Sequence, residues 1–370
     1  NAPISADLRK KLTAKLSTAN AGDQIHIFQG TDVCDLLDAH DSVRRAYPQL
    51  LSVRDLELLI QRQINRNVAQ RSQAALDEAR DLVSVFVPTG AYDRAFETLS
   101  KSHFVVLEGP PEMGKSAIAW MLAMVQISCG WQAVVCSGPN DFLGLYDANM
   151  QQIFIADDAF GRTEYDPARG KQWEQELSKI LFRLDSNHWL VWTTRKHILE
   201  RAVKKMDLQG SAYRFPKPGD IFVDSSRLST SEKALILYRH AKAANLELEA
   251  RQLVKRYAEV IVRNPNFTPE RIRLLISDAI PNLQVEIKDS RRVQKVIMDV
   301  LERPTERVRK TFRNLSLAHK KMLFKLLEAG HIADTAKLRR LYESSEMLAE
   351  DQTAFEDVLD ELSEAFVRIH

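Results

Sequence analysis

The sequence lacks the features that define several common classes of protein. Its 370 residues include only 3 cysteines, whose spacing matches no zinc motif, so we expect neither a disulfide framework nor a structural zinc site. No apolar run approaches the roughly 18 residues needed to span a bilayer. Lysine and arginine number 52 against 50 aspartate and glutamate, which argues against a polybasic coat for nucleic acid. We therefore expect a cytoplasmic protein with reduced thiols and no membrane association.

Glycine and proline are also scarce, at 13 residues each, so we expect long helices and few turns. The length suits two to four domains, and the hydrophobic content of 45% is enough for real cores. Continuous apolar runs typical of buried strands occur at 104–107, 133–136, 153–156, 189–193 and 221–223. Helical patterns separate these runs, and this alternation predicts a parallel sheet that is covered on both faces. After residue 224 the pattern is helical.

One segment has the residues needed to bind phosphate. Residues 109–116, Gly-Pro-Pro-Glu-Met-Gly-Lys-Ser, match G-x-x-x-x-G-K-[ST] without a mismatch. The segment lies between a predicted strand and a predicted helix, so backbone N–H groups and the helix N-terminus can face anionic oxygens. Gly109 and Gly114 permit close approach, Lys115 would reach the β- and γ-phosphates, and Ser116 would bind Mg²⁺. The predicted nucleotide-binding residues here are Gly109, Pro110, Pro111, Glu112, Met113, Gly114, Lys115, Ser116 and Ala117.

Two other predicted strands end in polar residues. Asp157 and Asp158 follow the run 153–156. At the carboxyl end of a strand Asp157 would hold Mg²⁺ through water, and Asp158 would orient or deprotonate the attacking water. For Asp158 the alternative of capping a turn stays open. Arg195 follows the run 189–193, where it would either read the charge of the γ-phosphate or form an ion pair at the surface, and spacing does not decide between the two.

Together these residues resemble the STAND class of P-loop NTPases, the signal-transduction ATPases that include NB-ARC and NACHT proteins. The closest resemblance is to the prokaryotic novel-STAND branch, which is often found in anti-phage systems. It is most specific between residues 104 and 275. The matching segments are the phosphate loop at 109–116, Asp-Asp-Ala-Phe-Gly at 157–161, Thr-Thr-Arg-Lys-His-Ile-Leu at 193–199, the start of a helical lid at 228–238, and a lid motif at 264–272.

The resemblance assigns roles to individual residues. It implies that Asp157 is the acidic residue for Mg²⁺, Asp158 the second acid and Arg195 the sensor arginine. It also implies that Pro269 and Arg271 are contacts of the lid with the nucleotide. From the residues alone, Pro269 would simply end the loop before a helix, and Arg271 would be a cation on the face of that helix. For both residues this structural role stays open beside the nucleotide contact.

One position departs from the family pattern. The common P-loop of the family has a glycine where this chain has Glu112. The exchange makes the loop less flexible and more acidic, because a glycine is replaced by a carboxylate. We still expect ATP to bind, since the required glycines 109 and 114 are present.

The resemblance also implies an architecture, an α/β P-loop NTPase followed by a helical lid and a winged-helix domain. We expect the NTPase domain at 86–226, the lid at 227–290 and a truncated winged helix at 291–370, whose last strand would lie at 366–369. Residues 1–85 are interpreted as the tail of an N-terminal effector module, faintly similar to a restriction-endonuclease-like domain. The chain would then be the central part of a longer protein.

We expect a molecular switch that binds ATP or ADP with Mg²⁺ and hydrolyses ATP slowly through Lys115, Asp157, Asp158 and Arg195. Exchange of nucleotide would drive a conformational change and self-association. The resemblance places it in prokaryotic anti-phage defence, where a phage-derived or other protein trigger acts through a sensor outside this chain. Nucleic acid would be contacted only through a nuclease effector, also outside it. The alternatives are an AAA+-like, DNA-associated ATPase and a scaffold, either nucleotide-regulated or with a vestigial P-loop.

Overall fold

The computed structural model describes residues 82–206, 215–283, 290–302, 315–330, 333–344 and 355–362, together with a few isolated positions. Most of the N-terminal module expected at 1–85 lies outside the described residues. The strand expected at 366–369 also lies outside them, apart from the isolated residue 367.

Five parallel strands form one sheet, as the alternating pattern predicts. They are β1 Phe104–Glu108, β2 Gln132–Val135, β3 Gln152–Ala156, β4 His188–Thr193 and β5 Phe222–Asp224. Their order across the sheet is β2-β3-β4-β1-β5, and every pairing is parallel. All residues of β3 and β4 are buried, which explains why these strands are continuous apolar runs instead of alternating ones.

Helices cover both faces of the sheet. Their bounds are α1 Gly90–Ser102, α2 Lys115–Ser128, α3 Pro139–Leu145, α4 Pro167–Arg183, α5 Lys196–Lys205 and the short α6 Pro218–Ile221. Successive strand residues face opposite sides, so Val105 and Val191 pack in the core under α1 and α2. Phe104 and Trp192 pack in the opposite core under α4 and α5. The ring of Trp192 meets Phe104, Phe160 and Trp173 edge to face, with centroids 4.8–4.9 Å apart, a favoured aromatic geometry.

A second group of helices follows the sheet, and we call residues 230–302 the lid segment after the lid predicted at 227–290; its last helix lies in the range predicted for the winged helix. It contains α7 Thr230–Ala243, α8 Leu248–Arg263, α9 Pro269–Leu274, a π-helical turn at Leu275–Ala279, a 3₁₀ turn at Pro281–Leu283, and α10 Ser290–Glu302. These helices have their own apolar core, which also takes in Val87. Ser229 and Glu232 form a capping box at the start of α7, and Glu232 Oε1 accepts a 2.7 Å hydrogen bond from the Gly90 N–H. That bond joins the lid segment to the start of α1.

Three further helices lie where the winged helix is expected. They are α11 Leu317–Glu328, α12 Thr335–Glu343 and α13 Phe355–Leu362, and they pack around Met322, Leu338 and Val358. The winged-helix domain stays a prediction, because its strand falls outside the described residues. Within the described part of the chain, no helix combines the length and apolarity that a membrane span requires.

The core under α4 provides a stability prediction. Phe154 on β3 is fully buried against Phe142, with ring centroids 4.2 Å apart, so Phe154→Ala should lower the free energy of unfolding by about 3–5 kcal/mol. Phe182 on α4 is 88% exposed, and Phe182→Ala should change it by less than about 0.5 kcal/mol. Urea denaturation of the two variants checks the difference, and equal losses would contradict the assignment of this core.

Candidate functional site

The loop from β1 to α2 has the backbone conformation of a phosphate cradle. Three of its residues, Gly109, Glu112 and Gly114, have positive φ values of 138°, 69° and 86°. A Cβ on Gly109 would lie 2.7 Å from Ser225 Oγ, so this position needs glycine for space as well as for conformation. Successive N–H groups of such a loop and the N-terminus of α2 provide donors and a positive dipole end for an anion.

Lys115 is held over this loop. Its ammonium donates to the carbonyl oxygens of Gly109 and Pro110, both at 2.7 Å, and the residue is only 8% exposed. A buried ammonium beside the N-terminus of α2 adds positive charge where an anion would bind.

Hydroxyl and carboxylate groups from three elements converge beside Lys115. Ser116 Oγ donates to Asp157 Oδ1 at 2.7 Å, and Thr193 Oγ1 donates to the same oxygen at 2.5 Å. Asp157 follows β3, Thr193 ends β4 and Ser116 lies in the first turn of α2. A serine hydroxyl and a carboxylate side by side are the ligands that Mg²⁺ takes from a protein when phosphates and waters supply the others. The residues at this point therefore fit a magnesium site.

Asp158 adjoins this group and is held in an unusual conformation. Its φ is 50°, and its N–H donates to Thr193 Oγ1 at 2.9 Å. The carboxylate is 13% exposed and lies 3.4 Å from Nε of Arg162, whose side chain is 82% exposed. Asp158 also lines the cavity that contains Lys115 and Ser116. Positive φ values outside glycine often occur at functional sites, and for Asp158 the chemical role and the capping of a turn both stay predictions.

Arg195 lies in the same cavity, beyond the end of β4. It is only 4% exposed and lines the cavity together with Lys115 and Asp158. The residue is therefore not on the exposed surface, while its predicted role at the γ-phosphate stays a prediction. Because β4 lies between β1 and β3, its carboxyl end brings Arg195 to the phosphate loop.

The cavity has a volume of about 460 Å³, a size typical of small-molecule sites, and we divide its lining residues into two groups, called its charged end and its apolar end. One end is charged and comprises the phosphate loop, Asp158 and Arg195. The other end is largely apolar and lies between the lid segment and the chain before α1. It is lined by Leu82, Val85, Phe86, Val87, Leu228, Ile236, His240, Ala243, Ala244, Pro269, Glu270, Arg273, Ile276 and Ser277. Such a division suits a molecule with a flat apolar part and a polyanionic part.

Of the two predicted lid contacts, one lines the cavity and the other does not. Pro269 lines it at the first turn of α9. Arg271 is absent from the lining, since its guanidinium donates to the carbonyl oxygens of Asn266 and Leu301. Arg273 lines the cavity instead and pairs with Glu270 through two 2.8 Å hydrogen bonds.

Several lining residues were missed from the sequence. His240 and the segment 82–87 carry no motif, although Ile236, His240 and Ala243 share one helix face at i, i+4 and i+7 spacing. That spacing could have identified one face of α7, but it does not show that this face lines a cavity. Burial and the nearby charge of Arg273 lower the pKa of His240 to about 4, although Glu270 opposes the shift. The imidazole is therefore neutral at pH 7 and can both donate and accept a hydrogen bond.

Comparisons with known proteins bear on the family and on the fold. Residues 86–243 match the model of the family described as Novel STAND NTPase 3, which confirms the resemblance to STAND NTPases for that part of the chain. The match extends from the segment before α1 through α7.

Among solved structures, the chain is similar to the Walker-type ATPase PABY2304 of Pyrococcus abyssi. The TM-score is 0.50 at 13% sequence identity, over 74% of this chain and 88% of that one. At this identity the likeness concerns the fold alone, and it supports the α/β architecture. A search of curated proteins found no match.

The neutral His240 predicts a pH dependence of stability. From pH 6.5, the ordinary pKa of histidine, down to about 4, the unfolded chain binds a proton that the folded protein does not. Stability should therefore fall as the pH decreases through this window, by up to about 3 kcal/mol from this residue. His240→Gln should remove that contribution, so its urea midpoints should decline less steeply. Parallel curves for the two proteins would contradict the prediction.

Proposed function

We propose that the novel STAND NTPase domain in this chain acts as an ATP-dependent molecular switch. The observation that carries this proposal is the convergence of Lys115, Ser116 and Arg195 at the charged end of one cavity, with Asp157 hydrogen-bonded to Ser116 beside it. ATP or ADP would bind with its phosphates at the loop 109–116 and its adenine in the apolar end beneath the lid segment. The cavity is large enough for this ligand class, and its two ends match the two halves of a nucleotide.

The chain's own groups suit phosphoryl transfer. Lys115 and the loop N–H groups would bind the β- and γ-phosphates, and Arg195 would stabilise charge on the γ-phosphate. Ser116 and Asp157 would hold Mg²⁺, which when bound neutralises phosphate charge. Asp158, fixed through its N–H by Thr193, would orient or deprotonate the attacking water. Catalysis through positioning and charge needs no covalent intermediate, and none of these residues has to act as a nucleophile.

The switch follows from the way the cavity is enclosed. The sheet provides the charged end, and the lid segment provides most of the apolar end. A nucleotide would therefore touch both, and a change at the γ-phosphate would alter how the lid segment is held. We propose that this motion controls self-association, that slow hydrolysis resets it, and that the setting is anti-phage defence with a protein trigger.

Lys115→Ala should abolish binding of ATP and ADP, because it removes the buried ammonium from the phosphate loop. Titration calorimetry with Mg²⁺ present measures the loss. Lys101→Ala is the matched control, since Lys101 lies on α1 and pairs with the exposed Glu97 at 2.6 Å. Retained ATP affinity in the Lys115 variant would refute the proposed site.

Asp158→Asn should keep ATP binding but slow hydrolysis by about 100-fold or more, because an amide cannot take a proton from water. Phosphate release under single-turnover conditions measures this rate. Asp220→Asn, at an exposed position of α6, should hydrolyse ATP at the rate of the unaltered protein. Unchanged turnover in the Asp158 variant would limit that residue to a structural role, and turnover stimulated by DNA would favour a DNA-associated ATPase over a switch.

A further inference from the structure

Glu112 places a buried carboxylate in the phosphate loop. It is one of the three loop residues with positive φ, a conformation that disfavours side chains other than glycine. Its side chain is only 3% exposed, and the residue lines the same cavity as Lys115 and Ser116. A carboxylate in this position would repel a bound polyphosphate, most strongly the more highly charged triphosphate. The loop therefore needs a compensating positive charge close to Glu112.

The lid segment supplies that charge at the start of α9. Arg271 Nε lies 3.9 Å from Glu112 Oε2, and the arginine side chain is 15% exposed. Thr268 Oγ1 donates to the same carboxylate oxygen at 3.4 Å and also accepts from the Arg271 N–H at 3.2 Å. The carboxylate thus lies against two polar side chains, those of Thr268 and Arg271, at the start of one helix. Thr268 lies 156 residues further along the chain than Glu112.

Arg271 is fixed behind the carboxylate, outside the cavity. Its guanidinium donates to the carbonyl oxygens of Asn266 and Leu301, and Arg271 does not line the cavity. Burial lowers the pKa of Arg271 and the charge of Glu112 raises it, but an arginine keeps its charge in either case. Because it does not line the cavity, Arg271 would act on a bound nucleotide mainly through its effect on Glu112.

We propose that Arg271 is the counterion of Glu112 and that this buried ion pair lets the acidic phosphate loop accept a triphosphate. The inference rests on the proposed function, that the cavity binds ATP. Removing one member of a buried pair leaves an uncompensated charge, whereas removing both is often neutral. Arg271 is accordingly a positioning residue that acts through Glu112, and the harm done by its loss should disappear when the carboxylate is removed as well.

The test is the affinity for ATP and ADP of R271M, E112Q and E112Q/R271M, measured by calorimetry with Mg²⁺. R271M should weaken ATP binding by about tenfold or more and ADP binding by less. E112Q removes the repelling carboxylate and should bind ATP at least as tightly as the unaltered protein, and E112Q/R271M should bind ATP as tightly as E112Q. High salt should reduce the defect of R271M, since it screens charge repulsion. R271K keeps the charge and should retain most of the ATP affinity.

A purely structural role for Arg271 gives the opposite pattern. Its bonds to Asn266 and Leu301 are lost in both methionine variants, so equal loss of ATP affinity in R271M and E112Q/R271M would overturn the proposal. If R271M does not fold, the comparison of E112Q with E112Q/R271M decides, and a drop in ATP affinity between them refutes the counterion role.

Two controls separate this inference from the proposed function. R263M removes an arginine of α8 whose partner Glu259 is 3.0 Å away and whose side chain is 75% exposed, and ATP affinity should not change. An unaltered protein that binds no nucleotide would refute the proposed function itself. An unaltered protein that binds ATP, with no rescue in E112Q/R271M, would refute only the pairing of Arg271 with Glu112.

Discussion

One carboxylate oxygen joins the parts of the site. Asp157 Oδ1 accepts hydrogen bonds from Ser116 and Thr193, so it connects the end of β3 to the end of β4 and to the start of α2. This arrangement requires β4 to lie between β1 and β3, with Leu107 opposite Thr193 and Ala156 opposite Trp192. The apolar character of β4 supports that order, since a strand buried on both faces belongs in the interior of a sheet. Core packing therefore sets the position of the polar groups.

The charged end of the cavity is built by the sheet, but its enclosure depends on the lid segment. Among the described residues, long-range contacts between these parts include Glu232 with the Gly90 N–H, and Glu112 with Thr268 and Arg271. Both use a carboxylate, and only the second reaches into the phosphate loop. Occupation of the loop would act on the second contact directly, whereas the first would serve as a fixed joint. A segment held by one constant contact and by one contact that responds to the nucleotide could move as a unit.

Local patterns predicted the parts of this protein that depend on local physics. Apolar runs located the strands, although β5 starts at Phe222 because Ile221 ends the short α6. The phosphate loop was identified because its residues are adjacent in sequence. The burial of Arg195 results from the packing of α5 and β4, which spacing alone does not reveal. Arg271 was predicted to contact the nucleotide, but Arg273 lines the cavity instead, and this depends on how α9 packs against the other helices, which no spacing within the helix reveals.

The departure at Glu112 shows how a change inside a motif can be compensated by a residue far away in the chain. A carboxylate among phosphate-binding N–H groups opposes the function of the loop, unless a cation stays close to it. Arg271 can do so because the carbonyl oxygens of Asn266 and Leu301 fix its guanidinium. Leu301 lies in the last turn of α10, so a shift of that helix end would displace the counterion. If the pairing operates as proposed, the affinity of the loop for a triphosphate depends on a helix that does not line the cavity.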